Sequence, residues 1–142
     1  ATKYILDNAD KDTHIVNTCY SAEVLANYHG VNVKRLKKYQ KGKQEIEFHQ
    51  GEEKGKKAHI HKAHQWGIPV TKDSESKLEL IASSEQELEG GEQTPIHEVF
   101  RSKQNPRHIG VQGHGEQGVG KELMYEILNG IHSTGYKKGY KK

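Results

Sequence analysis

A glycine-rich turn in the C-terminal part of the chain has residue types and spacing that suit anion binding. Gly118 and Gly120 stand directly before an apolar stripe at helical spacing, so segment 109–138 is predicted to run as strand, turn, helix and a second extended piece. Backbone N–H groups at a helix start are open to a ligand, and the aligned peptide dipoles add roughly half a positive charge there. Lys121 supplies a further cation. The turn therefore predicts a site for a phosphate-bearing ligand, and the alternative is a glycine-rich connection that binds nothing.

Two phosphate-binding patterns compete for this turn. Gly115–Lys121 fits the first seven positions of a P-loop, but Glu122 stands where Ser or Thr must hold magnesium, so a P-loop is excluded. The segment resembles instead the acetyl-CoA-binding motif of the GNAT-type N-acetyltransferase superfamily. The matching positions are Gly118-Val119-Gly120, the apolar stripe through Leu128, and Gly135-Tyr136-Lys137-Lys138. The N-terminal run KYIL with Ala9, Asp12 and Ile15 is similar to that family's first strand and first helix start.

The resemblance implies a cofactor and a set of site residues. The cofactor would be acetyl-CoA, with the turn's N–H groups on its pyrophosphate and a backbone N–H of the preceding strand polarising the acetyl carbonyl. A base would deprotonate the attacking amine, and Glu98 and His108 are the candidates because they lie near that strand. The implied cofactor-binding residues are Val111, Gln117, Gly118, Val119, Gly120 and Lys121.

Histidines form a second candidate constellation. The chain has 10 of them, and His59, His61 and His64 make an HxHxxH pattern. On a helix, His61 and His64 share one face and could supply two ligands to a divalent metal. If residues 59–61 are extended instead, His59 and His61 share one face, and His64 must reach the metal from a turn. The alternative is a solvated basic helix over Lys57–Trp66.

Cys19 is the one cysteine, so no disulfide can form within the chain. Its segment, NTCYSAEVLANYHG, resembles the nucleophile helix of papain-like folds, in which the helix dipole favours the thiolate and a later histidine pairs with it. A helix is predicted from Thr13, however, and this places Cys19 on an apolar stripe with Ile15 and Ala22. That position favours a small buried residue without a chemical role.

Composition and charge limit the fold and its partners. The chain has 142 residues, of which Leu, Ile, Val and Phe make up 28, so we expect one domain with a thin core over 1–135 and a lysine-rich tail over 136–142. The segment from Lys34 to Lys62 has ten Lys or Arg against four Glu, whereas Asp73–Glu92 has seven acidic residues against one Lys. The basic block is either solvated surface or a face for nucleic acid phosphates.

Hydrophobic periodicity predicts the elements that would carry these residues. The acidic, aperiodic segment Ser83–Thr94 is expected to be a loop, and Gly30 is expected to end the first helix. Strands are predicted around Ile46 and Phe48, around Leu78 and Leu80, and over Ile109–Val111. Strands that alternate with helices indicate an α/β or α+β domain, with a small mixed sheet flanked by three to four helices, GNAT-like if the resemblance holds.

Three functions fit these patterns. The first is an acetyl-CoA-dependent N-acetyltransferase or a degenerate relative of one. The second is a small, basic, histidine-rich nuclease of toxin type, with Lys34–Lys62 on RNA or DNA and His61, His64 or His108 as acid–base groups. The third is a non-catalytic protein-interaction domain that uses its opposed charge blocks. The expected ligand is CoA or another phosphate-bearing molecule. We expect a cytoplasmic protein without a membrane partner, because the sequence contains neither a membrane-length apolar run nor a signal-peptide core.

Overall fold

The chain is built mainly of β-strands. A computed structural model describes residues 2–9, 13–50, 54–55 and 57–113. The helices among them are α1 (Thr2–Asn8), α2 (Tyr20–Tyr28) and α3 (Lys72–Lys77). The strands are β1 (Ile15–Thr18), β2 (Lys34–Phe48), β3 (Lys57–Gly67), β4 (Leu78–Glu87), β5 (Gln93–Ser102) and β6 (His108–Val111). None of these helices is long and apolar enough to cross a lipid bilayer.

The six described strands form one mixed sheet that curls into a half-barrel. Its strand order is β1-β6-β5-β4-β2-β3. Strands β1 and β6 pair in parallel, and every other neighbouring pair is antiparallel. The predicted sheet with three to four flanking helices is therefore wrong, since the described part of the chain has only three short helices. The long antiparallel strands bury most of the apolar residues by curling over one another.

Two apolar clusters pack on opposite faces of the sheet. Val99 and Phe100 are consecutive in β5 and belong to different clusters, as expected when alternate side chains of a strand point to opposite faces. The Val99 cluster is built from strand residues, whereas the Phe100 cluster takes in Leu6 of α1 and Leu25 of α2. Gly110 lies under the Phe100 ring, and a Cβ at this position would overlap the ring atoms. The close approach of β6 to β5 therefore requires glycine here.

The N-terminal segment differs from its prediction in two ways. The run KYIL, expected to be a strand, lies in α1, where Leu6 is buried against the helical cluster. The helix expected from Thr13 is wrong as far as residue 18, because Ile15–Thr18 forms β1. Its β-branched residues suit an extended chain, and its hydrogen bonds go to β6. Gly30, with φ of 82°, follows α2 as predicted.

Strands β2 and β3 make one long antiparallel hairpin. The helix predicted over Lys57–Trp66 is wrong, since this segment is extended and paired with β2 along most of its length. Ile60, Lys62 and His64 are buried, whereas Ala63 between them is exposed. This period of two is that of a strand with one buried face. This alternation is hard to recognise in the sequence because one of the buried residues is a lysine.

The segment Ser83–Thr94 is a β-hairpin rather than the predicted loop. Strand β4 continues to Glu87 and pairs with β5 from Gln93 onward. The connecting turn uses Gly91 at a φ of 99°, and the Gly91 N–H donates to the Leu88 carbonyl at 2.8 Å. The strands predicted in the other three places are confirmed, in β2, β4 and β6.

His97 is a fully buried titratable residue of β5. Its Nε2 lies 3.0 Å from Ser74 Oγ, and its ring packs edge-on against Phe100. Burial lowers the pKa of His97 to about 4, because a charged imidazolium would lose its hydration there. Ser74 also forms a capping box with Thr71 at the start of α3, so this contact ties α3 to the sheet.

We predict that acid destabilises the fold through His97. The unfolded chain takes up this proton near pH 6.5, whereas the folded chain does so only near pH 4. The free energy of unfolding should therefore fall as the pH drops through this window, by up to about 1.4 kcal/mol per pH unit from this group. Urea unfolding of the wild type and of His97→Gln across the window measures the effect. The variant should show the shallower slope, and equal slopes would contradict the prediction.

Candidate active site

Cys19 joins β1 to α2 in a strained turn. It has φ of 53° and ψ of −117°, and it is the one non-glycine residue with positive φ in the described part of the chain. Such a conformation costs an L-residue about 1–3 kcal/mol and occurs most often at functional sites. A strand, a sharp turn and a helix in this order present the central side chain at the sheet edge, which is the arrangement of a nucleophile elbow. The predicted position of Cys19 inside a helix is wrong.

Contacts from three elements hold Cys19 in this conformation. Its N–H donates to the Val111 carbonyl at the end of β6, at 2.8 Å. Its carbonyl accepts from the N–H groups of Ala22 and Glu23 in the first turn of α2, at 3.0 and 3.3 Å. Its Sγ does not cap the helix and lies 3.7 Å from the Ala63 carbonyl of β3. The thiol is therefore directed toward β3, which curls over this edge of the sheet.

The turn places a nucleophile beside hydrogen-bond donors. The N–H groups of Ala22 and Glu23 already donate to the Cys19 carbonyl, whereas the N–H of Tyr20, the first residue of α2, has no carbonyl one turn earlier within the helix. The Tyr20 N–H also lies at the positive end of the helix dipole. Donors in this position can stabilise the negative charge that develops on a carbonyl oxygen under attack by Cys19. The arrangement therefore supports covalent catalysis at a carbonyl carbon.

A groove of about 710 Å³ lies along the outer face of α2. Two of its lining residues, Tyr20 and Glu23, belong to the first turn of α2, which directly follows Cys19. The Trp66 side chain is 42% exposed there, and the Arg35 guanidinium lies 6.0 Å from its ring centroid. The full lining is Lys3, Tyr20, Glu23, Val24, Asn27, Tyr28, Val33 and Trp66. This volume accommodates a small-molecule substrate.

Glu23 connects the groove to the buried end of β6. Gln112 donates from Nε2 to Glu23 Oε2 at 2.9 Å. Burial raises the pKa of the Glu23 carboxyl, and the hydrogen bond from Gln112 opposes this shift in part. Gln112 itself is fully buried, and its Oε1 has no hydrogen-bond partner. Gln112 Oε1 is therefore a buried acceptor one residue after Val111, whose carbonyl accepts from the Cys19 N–H.

Glu98, predicted as a base, lies in a buried ion pair. Lys62 Nζ is 2.5 Å and Ser84 Oγ is 2.6 Å from Glu98 Oε2, and both charged side chains are fully buried. The register between β4 and β5 shifts here, where consecutive Ala82 and Ser83 face Val99 and His97 and leave Glu98 as an extra residue. Such a bulge redirects a side chain out of the regular alternation.

Two backbone contacts connect the Lys62–Glu98 ion pair to the surroundings of Cys19. Lys62 directly precedes Ala63, whose carbonyl approaches Cys19 Sγ. The carbonyl of Glu98 accepts from the N–H of Gln112. Gln112 directly follows Val111, whose carbonyl accepts from the Cys19 N–H. The pair therefore supports the strands around Cys19, and its carboxylate is neutralised by Lys62 rather than open to a substrate.

The structure does not bring the other predicted site residues together. His108 lies at the start of β6, at the opposite end from Cys19, whereas Val111 ends that strand. His64 is buried on β3 with Nδ1 2.8 Å from the Trp66 carbonyl, and the side chain of His61 lies outside what the structure describes. Within residues 2–113, where described, no three His, Cys, Asp or Glu residues are close enough to hold a metal ion. The predicted residues Gln117, Gly118, Val119, Gly120 and Lys121 lie outside the described residues.

The local sequence around Cys19 does contain a signal for the elbow. The β-branched residues before it and the amphipathic segment after it mark a strand followed by a helix, with the cysteine at the junction. Interpreting both as one helix hides the junction. The signal is a change of period from two to 3.6 across a single residue.

Comparisons with known proteins agree on the fold. No family model matches the chain, and neither does any curated protein. A GMP synthase subunit from Thermoplasma acidophilum is 19% identical, with a TM-score of 0.64 over 98% of this chain and 66% of its own. A glutamine amidotransferase from Thermotoga maritima is 17% identical, with a TM-score of 0.60 over 98% of this chain and 54% of its own. The chain thus spans between about half and two thirds of the length of these neighbours.

These neighbours overturn the interpretations drawn from sequence patterns. The chain shares the fold of these two neighbours, so the GNAT resemblance is wrong, and the acetyltransferase, nuclease and interaction-domain functions lose their support with it. A glycine-rich turn before an amphipathic segment is a local pattern that several folds share. Such a pattern does not specify non-local strand pairings such as the parallel pairing of β1 with β6.

We predict that Glu98→Gln strongly lowers the free energy of unfolding. Removing one charge leaves Lys62 buried without a counter-ion, which costs about 3–5 kcal/mol of stability. Chemical denaturation measures the loss. The double variant Glu98→Leu with Lys62→Met should recover most of it, whereas Glu87→Gln, in the exposed pair with Lys37, should cost less than about 1 kcal/mol. A small loss for Glu98→Gln would contradict the assignment of a buried ion pair.

We also predict that Cys19→Gly is more stable than Cys19→Ala. Glycine adopts positive φ without steric cost, whereas alanine retains the strain of the elbow, so the two variants should differ by about 1 kcal/mol. Urea unfolding of both variants tests this. At Ala26, inside α2, the same residue pair serves as control, because Ala26→Gly should lose about 1 kcal/mol. A Cys19→Ala variant more stable than Cys19→Gly would show that the elbow is not strained.

Proposed function

We propose that the chain carries the thiol site of a glutamine amidotransferase-type amide hydrolase, which releases ammonia from the side-chain carboxamide of glutamine. The observation that carries this proposal is the strained Cys19 elbow at the end of β1. The groove beside it and the fold of the two neighbours support it. Because those neighbours are longer than this chain, the proposal covers the hydrolysis and not any use of the ammonia.

The chemistry divides into two balanced steps. In the first, the Cys19 sulfur attacks the carboxamide carbon, the carbon–nitrogen bond breaks, and the nitrogen leaves as ammonia with the thiol proton. A thioester between Cys19 and the glutamyl group remains. In the second step, water attacks the same carbon, the carbon–sulfur bond breaks, and glutamate and the free thiol are released. The Tyr20 N–H at the start of α2 would donate to the carbonyl oxygen in both steps.

The proton transfers require a base, and we infer that it is His114, which lies outside the described part of the chain. Because β1 and β6 are parallel and Thr18 pairs with Val111, both strands end at the same edge of the sheet. His114 follows Val111 by three residues in the sequence, and three extended residues span at most about 11 Å. His64 is the second candidate, because it follows Ala63 on β3. Its Nδ1 lies 2.8 Å from the Trp66 carbonyl, a contact that would leave Nε2 as the basic nitrogen, so variants at both positions are compared.

Ammonia release from L-glutamine tests the proposal. The wild type should release ammonia, and Cys19→Ala should lose at least about a thousandfold in rate, as nucleophile removal does in other covalent hydrolases. His114→Asn should lose a comparable factor, whereas His64→Gln should lose much less. His59→Gln, at an exposed position of β3, is the matched control and should keep the wild-type rate.

A second readout distinguishes loss of chemistry from loss of folding. A glutamine analogue with a diazoketone in place of the carboxamide should alkylate the wild type once, at Cys19, as identified by peptide mass spectrometry. Full ammonia release by Cys19→Ala would refute the proposal. So would a folded wild type that neither releases ammonia nor reacts with the analogue.

A further inference from the structure

Strand β1 lies at one edge of the sheet, and its outer side is open. In the strand order of the described sheet, β6 is its one neighbour. The side chain of Val16, in the middle of the strand, is 46% exposed. The ladder to β6 runs without a register shift over Ile15–Thr18. The edge is therefore regular and uncovered, and such an edge can accept a further strand.

The backbone groups on this outer edge belong to Val16 and Thr18. The N–H groups of Ile15 and Cys19 donate to carbonyls in or directly before β6, at 2.9 and 2.8 Å. The backbone N–H and C=O groups of successive residues in a strand point to opposite sides of it. The odd-numbered residues of β1 therefore face β6. The N–H and C=O groups of Val16 and Thr18 point away from β6 and form the hydrogen-bonding edge.

Strand β1 lacks the features that keep sheet edges from pairing. Proteins protect exposed edges with charged residues, prolines or bulges. None of the residues Ile15–Thr18 is charged or a proline. The other edge strand of the described sheet, β3, differs because it includes Lys57 and the inward-pointing Lys62. Of these two edges, β1 is therefore the one suited to pairing.

The side chain of Val16 extends an apolar cluster to this edge. Val16 pairs with Ile109 of β6, and paired residues on neighbouring strands point to the same face of a sheet. Ile109 belongs to the cluster of Val99, which is built from strand residues. A strand added beside β1 would cover Val16 and lengthen this cluster. Backbone pairing and apolar burial thus favour the same position for a partner.

We propose that the outer edge of β1 pairs with the same edge of a second copy of this chain, as antiparallel strands with Asn17 opposite Asn17 of the second copy. This register places Val16 of each copy opposite Thr18 of the other. A hydrogen-bonded antiparallel pair exchanges two N–H···O=C bonds, so the two pairs form four bonds and satisfy every outward group of both strands. The proposal is independent of the chemistry of Cys19.

Symmetry, charge and contact area argue for a second copy and set the strength of the dimer. Val16 and Thr18 lie symmetrically about Asn17, so the edge matches itself in a two-fold dimer, the commonest assembly of identical chains. The net charge of the chain is only +3, so two copies repel each other weakly. A four-residue edge covers far less than the roughly 800 Å² per partner of a stable interface. We therefore expect a Kd on the order of 0.1–1 mM.

Amide hydrogen exchange on the ¹⁵N-labelled chain tests the pairing directly. With a Kd in this range, half or more of the chains are dimeric at about 1 mM, so the Val16 and Thr18 N–H groups should exchange about two- to fivefold more slowly there than in dilute solution. Asn17 is the internal control, because its N–H faces β6 and is protected at every concentration. Sedimentation equilibrium should show a mass that rises from one copy toward two over the same range.

Three outcomes would overturn the proposal. The first is a chain that stays monomeric at about 1 mM. The second is a dimer in which the Val16 and Thr18 N–H groups exchange as fast as in dilute solution, because its interface would lie elsewhere. The third is full protection of both groups in the dilute monomer, because the edge would then be covered within one copy.

A charge placed on the edge separates this interface from the rest of the surface. Val16→Lys should keep the fold, because the side chain is half-exposed, and should weaken the dimer at least about tenfold, because it places two lysines at the interface. His59→Lys adds a similar charge at an exposed position of β3 and should dimerise as the wild type does. Melting temperatures check the fold of both variants, and the wild-type exchange test depends on neither. Equal dimerisation of folded Val16→Lys and wild type would contradict the proposed interface.

Discussion

The hydrogen bond from the Cys19 N–H to the Val111 carbonyl is the constraint around which the candidate site is organised. It extends the parallel ladder of β1 and β6 by one residue, so the chain must turn at Cys19 to begin α2 instead of continuing as a strand. The positive φ follows from that turn. The helix start and the β3 carbonyl then reach the same residue from two other sides. Backbone contacts from three elements therefore position Cys19.

Because the sheet curls, strand β3 lies over the edge of the sheet at which Cys19 is located. Strand β3 lies far from β6 in strand order, yet its Lys62 reaches Glu98 of β5, and its Ala63 carbonyl reaches the thiol. The bulge that turns Glu98 toward Lys62 supplies the buried counter-charge that lets a lysine lie inside the half-barrel. The cost of desolvation offsets much of the attraction in a buried ion pair, but the pair fixes the position of β3 over Cys19. The ion pair and the elbow thus belong to one structural unit.

The two ends of the β1–β6 pair differ in chemical character. At the carboxyl end, a polarisable thiol lies beside helix N–H groups and an open groove. At the amino end, His29 and His108 are among the residues that line a separate cavity. The pair spans only four residues per strand, so the two regions share the same core support in Phe100 and Gly110. Both ends therefore depend on the same short, well-packed piece of sheet.

Local pattern was sufficient for some elements and misleading for others. The alternation at Ile46 and Phe48 correctly predicted a strand because one face of that strand is buried. Gly30 was correctly predicted to end the helix because its φ is positive. The strand over Lys57–Trp66 could not be predicted from its own residues, because Lys62 occupies a buried position and its partner, Glu98, lies 36 residues away. The helix expected from Thr13 failed for a similar reason, since four residues form a strand only by pairing with β6.

The sequence by itself determined that this chain has a thin core, a single cysteine, opposed charge blocks and a set of polar residues able to do chemistry. Tertiary structure alone decided which of them matter. Cys19 becomes an elbow only when a strand 92 residues further along accepts its N–H, and Glu98 becomes a structural anion only when β3 brings Lys62 to it. Both outcomes depend on pairings between distant segments. The change of period at Cys19 marks the junction of a strand and a helix, but the residues near each site do not specify which distant strand pairs with it.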